Sequence, residues 1–238
     1  MVANEPMQIV PVIDLKGGLV VHARRGDRNA YAPLSSPLAR TADPVDVVRG
    51  LCRLFSFTSL YVADLDAIAG IGDHDDMLTA LADAFPALEF WVDAGVSGLD
   101  AAADILAHPA RHIVIGSESQ TSDELLLELA ANPRVILSLD FRGDDFLGHK
   151  DILDEPTLWP GRVLVMTLSR VGSEQGPDLE RIHAIAALAQ GRAIFAAGGV
   201  RNSEDLIALK DAGCAGALVA TALHSGAIDP RIIDSIAT

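Results

Sequence analysis

The chain has little cysteine and a shortage of basic residues. Its two cysteines, Cys52 and Cys214, lie in or just after helix-like segments and have no ligand-like spacing, so we interpret them as small buried hydrophobic residues. The 18 lysines and arginines are outnumbered by 33 aspartates and glutamates, which leaves a net charge of −15. That charge opposes binding to nucleic acid or to an anionic membrane, because both need a basic patch.

Long apolar runs are also absent. None approaches the ~18 residues needed to span a bilayer, and residues 1–6 lack the basic and apolar regions of a signal peptide, so we expect a soluble cytoplasmic protein. No two histidines have ligand-like spacing and no dinucleotide fingerprint follows any predicted strand, so we expect neither a metal nor a cofactor. The sequence does not predict the oligomeric state.

Short runs rich in Val, Ile and Leu alternate with longer amphipathic stretches, a pattern typical of strands and helices around a parallel sheet. The eight predicted strands are residues 9–14, 59–65, 89–93, 112–115, 135–139, 163–166, 193–197 and 217–219. Residues 141–161 carry Gly, Pro and charge with little helical period, which predicts an irregular crossover. Because no linker-like break divides residues 1–238, we predict a single (β/α)8 TIM barrel.

The chain contains the same passage twice. A strand, a small-residue turn, a helix and a second strand occur around Gly95 and Ser117 and recur around Gly199 and Thr221, in both cases 104 residues later. Residues 11–18 similarly resemble the segment that follows residue 136. These matches predict a twofold internal repeat, with half-barrels at about residues 7–133 and 134–238.

Each copy has the features of a phosphate cradle. Glycine lets the backbone approach an oxyanion, and N–H groups at the start of a following helix favour negative charge. The predicted phosphate-binding or substrate-binding residues are Lys16, Gly95, Gly116, Ser117, Gly198, Gly199, Ala220 and Thr221. Two cradles suggest a small ligand that carries phosphate at both ends.

Two aspartates, Asp14 and Asp140, close predicted strands one and five. In an α/β barrel the active site lies at the carboxyl ends of the strands, so this pair could act as general base and acid; alternatively, each caps the next loop. Thr167 closes strand six and could donate a hydrogen bond to substrate or satisfy local backbone. Of Asp64 and Asp66, after strand two, one could line the mouth and the other anchor a loop.

The loop after strand one carries Arg25 and Arg28. Arginine suits phosphate and carboxylate recognition, so this loop could fold over a bound anion; a solvated loop is the alternative.

With these residues in place, the chain resembles the histidine-biosynthesis barrel family, which includes the phosphoribosylformimino-aminoimidazole-carboxamide ribotide isomerase and its cyclase relative, imidazole glycerol phosphate synthase. The resemblance is carried by residues 11–18, 62–66, 116–117, 138–140, 197–200 and 219–223. It implies a phosphate-binding barrel with twofold repeat and a bis-phosphorylated ribose substrate. It also implies a cofactor-free Amadori rearrangement of an aminoaldose to an aminoketose, with Asp14 as base and Asp140 as acid.

The chain departs from the family pattern at two places. Val171 stands where a carboxylate is expected after strand six, and Asp93 begins the first cradle in place of glycine. Because a carboxylate beside a phosphate is repulsive, either Asp93 points elsewhere or the ligand lacks phosphate at that end.

The segments 22–33 and 35–44 resemble those of a divergent branch of this family that is found in methane-producing and methylotrophic microbes. That resemblance implies biosynthesis of a one-carbon carrier cofactor of the methanopterin or methanofuran type. A non-catalytic phosphometabolite-binding or assembly protein, and a cyclase that docks a glutaminase, are the other hypotheses.

Overall fold

The computed structural model describes residues 6–23, 30–173 and 175–237. Its strands are β1 (Gln8–Lys16), β2 (Leu19–His22), β3 (Ala32–Pro33), β4 (Ser59–Asp64), β5 (Glu89–Asp93), β6 (Arg111–Gly116), β7 (Val135–Arg142), β8 (Asp145–Leu147), β9 (Arg162–Thr167), β10 (Ala193–Ala197) and β11 (Gly216–Val219). Eight of them pair in parallel in the order β1, β4, β5, β6, β7, β9, β10 and β11, and β11 pairs with β1. The sheet is therefore a closed (β/α)8 barrel, as predicted.

Helices surround this barrel. They are α1 (Pro44–Leu54), α2 (Leu65–Ile68), α3 (Asp75–Ala84), α4 (Leu99–Ala107), α5 (Glu124–Leu129), α6 (Lys150–Asp154), α7 (Leu179–Leu188), α8 (Ser203–Asp211), α9 (Thr221–His224) and α10 (Pro230–Ala237). Asp43 starts α1 by accepting hydrogen bonds from two backbone N–H groups, with Pro44 in the first turn. In the described part of the chain, no helix is long and apolar enough to cross a membrane.

All eight predicted strands are confirmed, with bounds that shift by up to three residues. The predicted crossover at residues 141–161 contains only short elements: β8, α6 and a 3-10 turn at Pro156–Leu158. As interpreted, Cys214 is buried, whereas Cys52 is partly buried against the core.

Two antiparallel hairpins were not predicted. β2 folds back on β1 so that Val21 pairs with Asp14, and β8 folds back on β7 so that Leu147 pairs with Asp140. Both pairs are related by the same shift of 126 residues, so the two hairpins occupy equivalent places after β1 and β7. The half-barrel boundaries stay a prediction. Each hairpin rises from a strand that carries a candidate catalytic aspartate.

The inside of the barrel is filled below its mouth. Alternate residues of the strands form an inner apolar cluster, in which Trp91 and Phe195 meet edge to face with ring centroids 5.1 Å apart. Gly216 is needed beside them, because a Cβ there would lie 2.4 Å from the Phe195 ring. Space for a ligand is therefore at the carboxyl ends of the strands.

Candidate functional site

Three aspartates face the mouth of the barrel. Asp14 on β1 lies in the same row of strand pairing as Asp93 at the end of β5, because both pair with Ala63 of the intervening strand β4. Asp140 lies on β7, which stands four strands away from β1 in a ring of eight and thus on the opposite side. The predicted pair Asp14 and Asp140 therefore faces across one opening, with Asp93 on the wall between them.

Asp140 is buried and closely surrounded. Its carboxylate accepts hydrogen bonds from the Ser138 hydroxyl at 2.7 Å and from the Glu118 backbone N–H at 3.1 Å. Burial raises the pKa of Asp140 from its usual 3.8 to about 7, and the negative charge of Asp93 adds to this, although the Ser138 hydrogen bond opposes it. Asp140 can therefore hold a proton near neutral pH.

Tyr61, on β4, is a site residue that the sequence reasoning missed. Its hydroxyl donates to Asp93 Oδ2 at 2.8 Å. Burial raises the pKa of Tyr61 well above its usual value, and the charges of Asp93, Asp140 and Asp14 raise it further. Tyr61 thus experiences all three carboxylates, and its place two residues before Ala63 on the inward face of β4 was the available signal.

The predicted first cradle contacts carboxylates of the chain itself. The Gly95 N–H donates to Asp93 Oδ1 at 3.2 Å. A Cβ on Gly116 would lie 3.3 Å from Asp140 Oδ2 and 4.0 Å from both carboxylate oxygens of Asp93. Ser117 is fully buried, with its hydroxyl 2.7 Å from the Leu147 carbonyl oxygen and accepting from the Asp140 N–H at 2.9 Å. A phosphate-binding role for Gly95, Gly116 and Ser117 stays a prediction.

The predicted second cradle has a different environment. Gly198 and Gly199 both have φ near +90°, and a Cβ on Gly199 would lie 2.2 Å from the Gly176 carbonyl oxygen. The carboxylate of Asp205 is paired with Arg201, whose guanidinium donates to both of its oxygens at 2.9 and 2.7 Å.

After β11, Ala220 directly precedes α9, and the exposed Thr221 begins that helix. The Thr221 hydroxyl lies 3.3 Å from His22 Nε2 of the β2 hairpin. Phosphate binding by these glycines and by Ala220 and Thr221 likewise stays a prediction.

The end of β9 is held by an aspartate that the sequence reasoning did not select. The buried Thr167 donates to Asp178 Oδ2 at 3.3 Å, so its hydroxyl contacts the chain itself. Burial alone would raise the pKa of Asp178, but hydrogen bonds from Arg181 and the charge of Arg170 hold the pKa below its usual value. Val171 packs beside Gly198, where a Cβ would lie 3.3 Å from Val171 Cγ2.

Asp64 and Asp66 both anchor loops. Asp64 is buried and accepts from the His74 backbone N–H at 2.8 Å, while its other oxygen lies 2.8 Å from His74 Nδ1. Asp66 Oδ2 accepts from the Gly17 N–H at 2.8 Å, and the Gly18 N–H donates to His74 Nε2 at 3.0 Å. These contacts hold the β1–β2 hairpin against β4.

Lys16 is the last residue of β1 and pairs with Leu19 in that hairpin. Arg25 and Arg28 lie outside the described residues. Within the described ranges, no group of three or more His, Cys, Asp or Glu side chains could hold a metal ion.

Comparison of the sequence with known proteins identifies the family of this chain. The model of the family described as histidine biosynthesis protein matches residues 8–229. An uncharacterized protein of Methanocaldococcus jannaschii is 30% identical over 233 residues, which cover 94% of this chain and 96% of the relative.

Two other relatives have named activities. The 1-(5-phosphoribosyl)-5-((5-phosphoribosylamino)methylideneamino) imidazole-4-carboxamide isomerase of Myxococcus xanthus is 30% identical over 241 residues, covering 95% of this chain and 98% of the relative. Phosphoribosyl isomerase A of Streptomyces coelicolor is 26% identical over 240 residues, covering 93% and 94%. The chain belongs to the histidine biosynthesis protein family.

Proposed function

We propose that this protein is an isomerase that converts a phosphorylated aminoaldose, or a closely similar sugar metabolite, to the ketose by acid–base chemistry. The observation that carries this proposal is the raised pKa of Asp140, about 7, across the mouth from Asp14. When two carboxyl groups lie in such different environments, one can be protonated while the other is ionised at the same pH, as an acid and a base must be. The isomerase names of the relatives support the same reaction class.

In the proposed reaction, Asp140 donates its proton to the ring oxygen of the aminoaldose. The bond between C1 and the ring oxygen breaks, and the nitrogen lone pair forms the C1 iminium. Asp14 then removes the proton from C2, and the electrons of that bond form an enolamine. Tautomerisation of the enolamine, with protonation at C1, gives the aminoketose, so atoms and electrons balance without a cofactor.

Phosphate recognition is assigned to the second cradle, Gly198, Gly199, Ala220 and Thr221, with Lys16 at the edge of the mouth. The glycine turn leaves the backbone accessible, and the pairing of Asp205 with Arg201 reduces the negative charge at this end. Thr167 would orient the substrate, with Asp178 positioning its hydroxyl.

A paralogue in the biosynthesis of a one-carbon carrier cofactor is the second candidate. It would use the same acid and base on a different substrate. Asp93 in the first cradle and Val171 after β9, the two departures from the family pattern, favour this candidate. Both candidates use the proposed acid–base isomerisation, and they differ only in the metabolite that is isomerised.

The first test is turnover of the aminoaldose named for the Myxococcus xanthus relative, followed by absorbance. For the wild type we expect kcat to fall as pH rises above about 7, because Asp140 is then ionised and can no longer donate a proton to the substrate. Asp14→Asn and Asp140→Asn should each lower kcat by at least about 100-fold.

Asp83→Asn is the matched control, because Asp83 is an exposed aspartate in the last turn of α3 and belongs to neither predicted cradle, and it should leave kcat unchanged. If the wild type does not turn over this compound, one-carbon cofactor intermediates are tested next. A ligand whose binding and biological effect survive Asp14→Asn without turnover would instead identify a binding protein.

A further inference from the structure

We infer that the end of the substrate that lies over β5 and β6 carries no phosphate, and that Asp93 determines this specificity. The inference rests on the proposed function and narrows its substrate class. The ligand would be a monophosphate whose other end donates hydrogen bonds, as an amine or a hydroxyl group does.

The first argument is that carboxylates of the chain already use two of the donors around the first cradle. The Gly95 N–H, which a phosphate at this turn would need, donates to Asp93 Oδ1 at 3.2 Å. The Glu118 N–H, in the turn after β6, donates to Asp140 Oδ2 at 3.1 Å. The buried hydroxyl of Ser117 donates to the Leu147 carbonyl oxygen of β8 and accepts from the Asp140 N–H of β7.

The second argument is charge. A Cβ added to Gly116 would lie 3.3 Å from a carboxylate oxygen of Asp140 and 4.0 Å from both carboxylate oxygens of Asp93, so both carboxylates border the same space. The buried hydroxyl of Tyr61 is influenced by these two carboxylates and by Asp14. A phosphate dianion placed here would meet the negative charges of Asp93 and Asp14, and above about pH 7 that of Asp140 as well. Because burial weakens solvent screening at this wall, binding of the dianion is disfavoured.

The third argument concerns what this wall accepts. The Gly95 N–H donates to one oxygen of Asp93, and the Tyr61 hydroxyl donates to the other at 2.8 Å, so the carboxylate is held in place. Each carboxylate oxygen has more than one acceptor position, and the Asp93 side chain is only partly buried. The wall therefore presents fixed acceptors, which match a donor group on the ligand.

The two ends of the mouth therefore differ. At the second cradle the glycine turn is retained and the carboxylate of Asp205 is paired with Arg201. At the first, a carboxylate occupies the place of a glycine. Although the sequence repeat suggests a ligand with two phosphates, the geometry favours one phosphate, held over β10 and β11.

The test is calorimetric binding at fixed pH and salt of two probes that differ by one phosphate. One is the bis-phosphorylated compound named for the Myxococcus xanthus relative, and the other is the same compound with one phosphate removed. We expect the wild type to bind the monophosphate at least about tenfold more tightly. Asp93→Gly removes the charge and frees the Gly95 N–H, so it should abolish or reverse this preference.

Asp93→Asn removes the charge and keeps the side-chain shape. It replaces Asp93→Gly in the same binding measurement if thermal melting shows that the glycine variant does not fold. Asp83→Asn, at an exposed aspartate in the last turn of α3, should leave the preference unchanged. Equal or tighter binding of the bis-phosphate by the wild type overturns this inference alone, as does a preference that survives in both Asp93 variants. A folded wild type that binds neither probe overturns this inference together with the aminoaldose as the substrate, and turnover of the one-carbon cofactor intermediates then decides the acid–base proposal.

Discussion

At the scale of single residues, the environment of Asp140 separates it from the equivalent Asp14. Asp140 is 5% exposed and flanked by Asp93, whereas Asp14 is only partly buried. Desolvation disfavours the charged form of a carboxyl, so the more enclosed member of the pair is the better acid. The two halves of the barrel thus place the same residue type in two environments, as a division between acid and base requires.

This difference predicts a pH-dependent stability. Asp140 has a folded-state pKa of about 7 against a usual 3.8, so between these values the folded state holds a proton that the unfolded state has released. Stability from this group is therefore complete below about pH 4 and is lost as pH rises through about 7. The loss is at most about 4 kcal/mol, at about 1.4 kcal/mol per pKa unit.

Asp140→Asn does not titrate at this position, so its free energy of unfolding should fall less between pH 4.5 and pH 8 than that of the wild type. Urea denaturation at several pH values measures this, and Asp83→Asn should retain the wild-type slope. Parallel curves for the wild type and Asp140→Asn would contradict a raised pKa.

At the scale of secondary-structure elements, the mouth is built from hairpins and turns fastened to the strand ends. The β1–β2 hairpin is held by Asp66 and His74, and His74 is held in turn by Asp64. The loop after β9 packs against the turn after β10, where Gly176 and Gly199 are in contact. The strands are rigid, so the shape of the mouth depends on these few contacts.

The contact at Gly199 predicts a strong effect of a small substitution. Gly199→Ala would place a Cβ 2.2 Å from the Gly176 carbonyl oxygen at a φ of +90°, so the loop after β9 must move. We expect a loss of unfolding free energy of about 2 kcal/mol or more, together with weaker phosphate binding.

Gly143→Ala is the matched control, because Gly143 has a φ of +61° with nothing within 4 Å of an added Cβ. It should cost about 1 kcal/mol, from backbone strain alone. Chemical denaturation and inorganic-phosphate titration compare the two variants. Equal costs with unchanged phosphate affinity would show that the loop contact is unimportant.

At the scale of the whole molecule, the order of the elements could be predicted from the sequence, whereas the state of the site could not. Runs of Val and Ile report buried parallel strands directly, and Asp14 and Asp140 stand out because they end such runs. The direction of the Asp93 carboxylate depends on Tyr61, which is 32 residues away in the chain. The roles of Tyr61 and Asp178 likewise arise from contacts between elements, which no local pattern contains.

The closure of the barrel predicts where the whole fold is vulnerable. The seam between β1 and β11 is covered by α10, whose Ile233 and Ile236 are buried, and the Met7 N–H donates to the Ile236 carbonyl oxygen at 2.9 Å. The two ends of the chain therefore secure the strand pairing that closes the ring. Because the barrel has one continuous sheet, loosening this seam weakens the fold as a unit.

Ile233→Ala should lower the free energy of unfolding by about 2–4 kcal/mol, from lost burial and the cavity left behind. Arg231→Ala, on the exposed side of the same helix, should leave it nearly unchanged, because its ion pair with Asp229 is exposed. Urea denaturation followed by circular dichroism and by tryptophan fluorescence measures both variants. Since Trp91 lies inside the barrel, the two signals should change together in Ile233→Ala; separate transitions would show that the seam opens without unfolding the barrel.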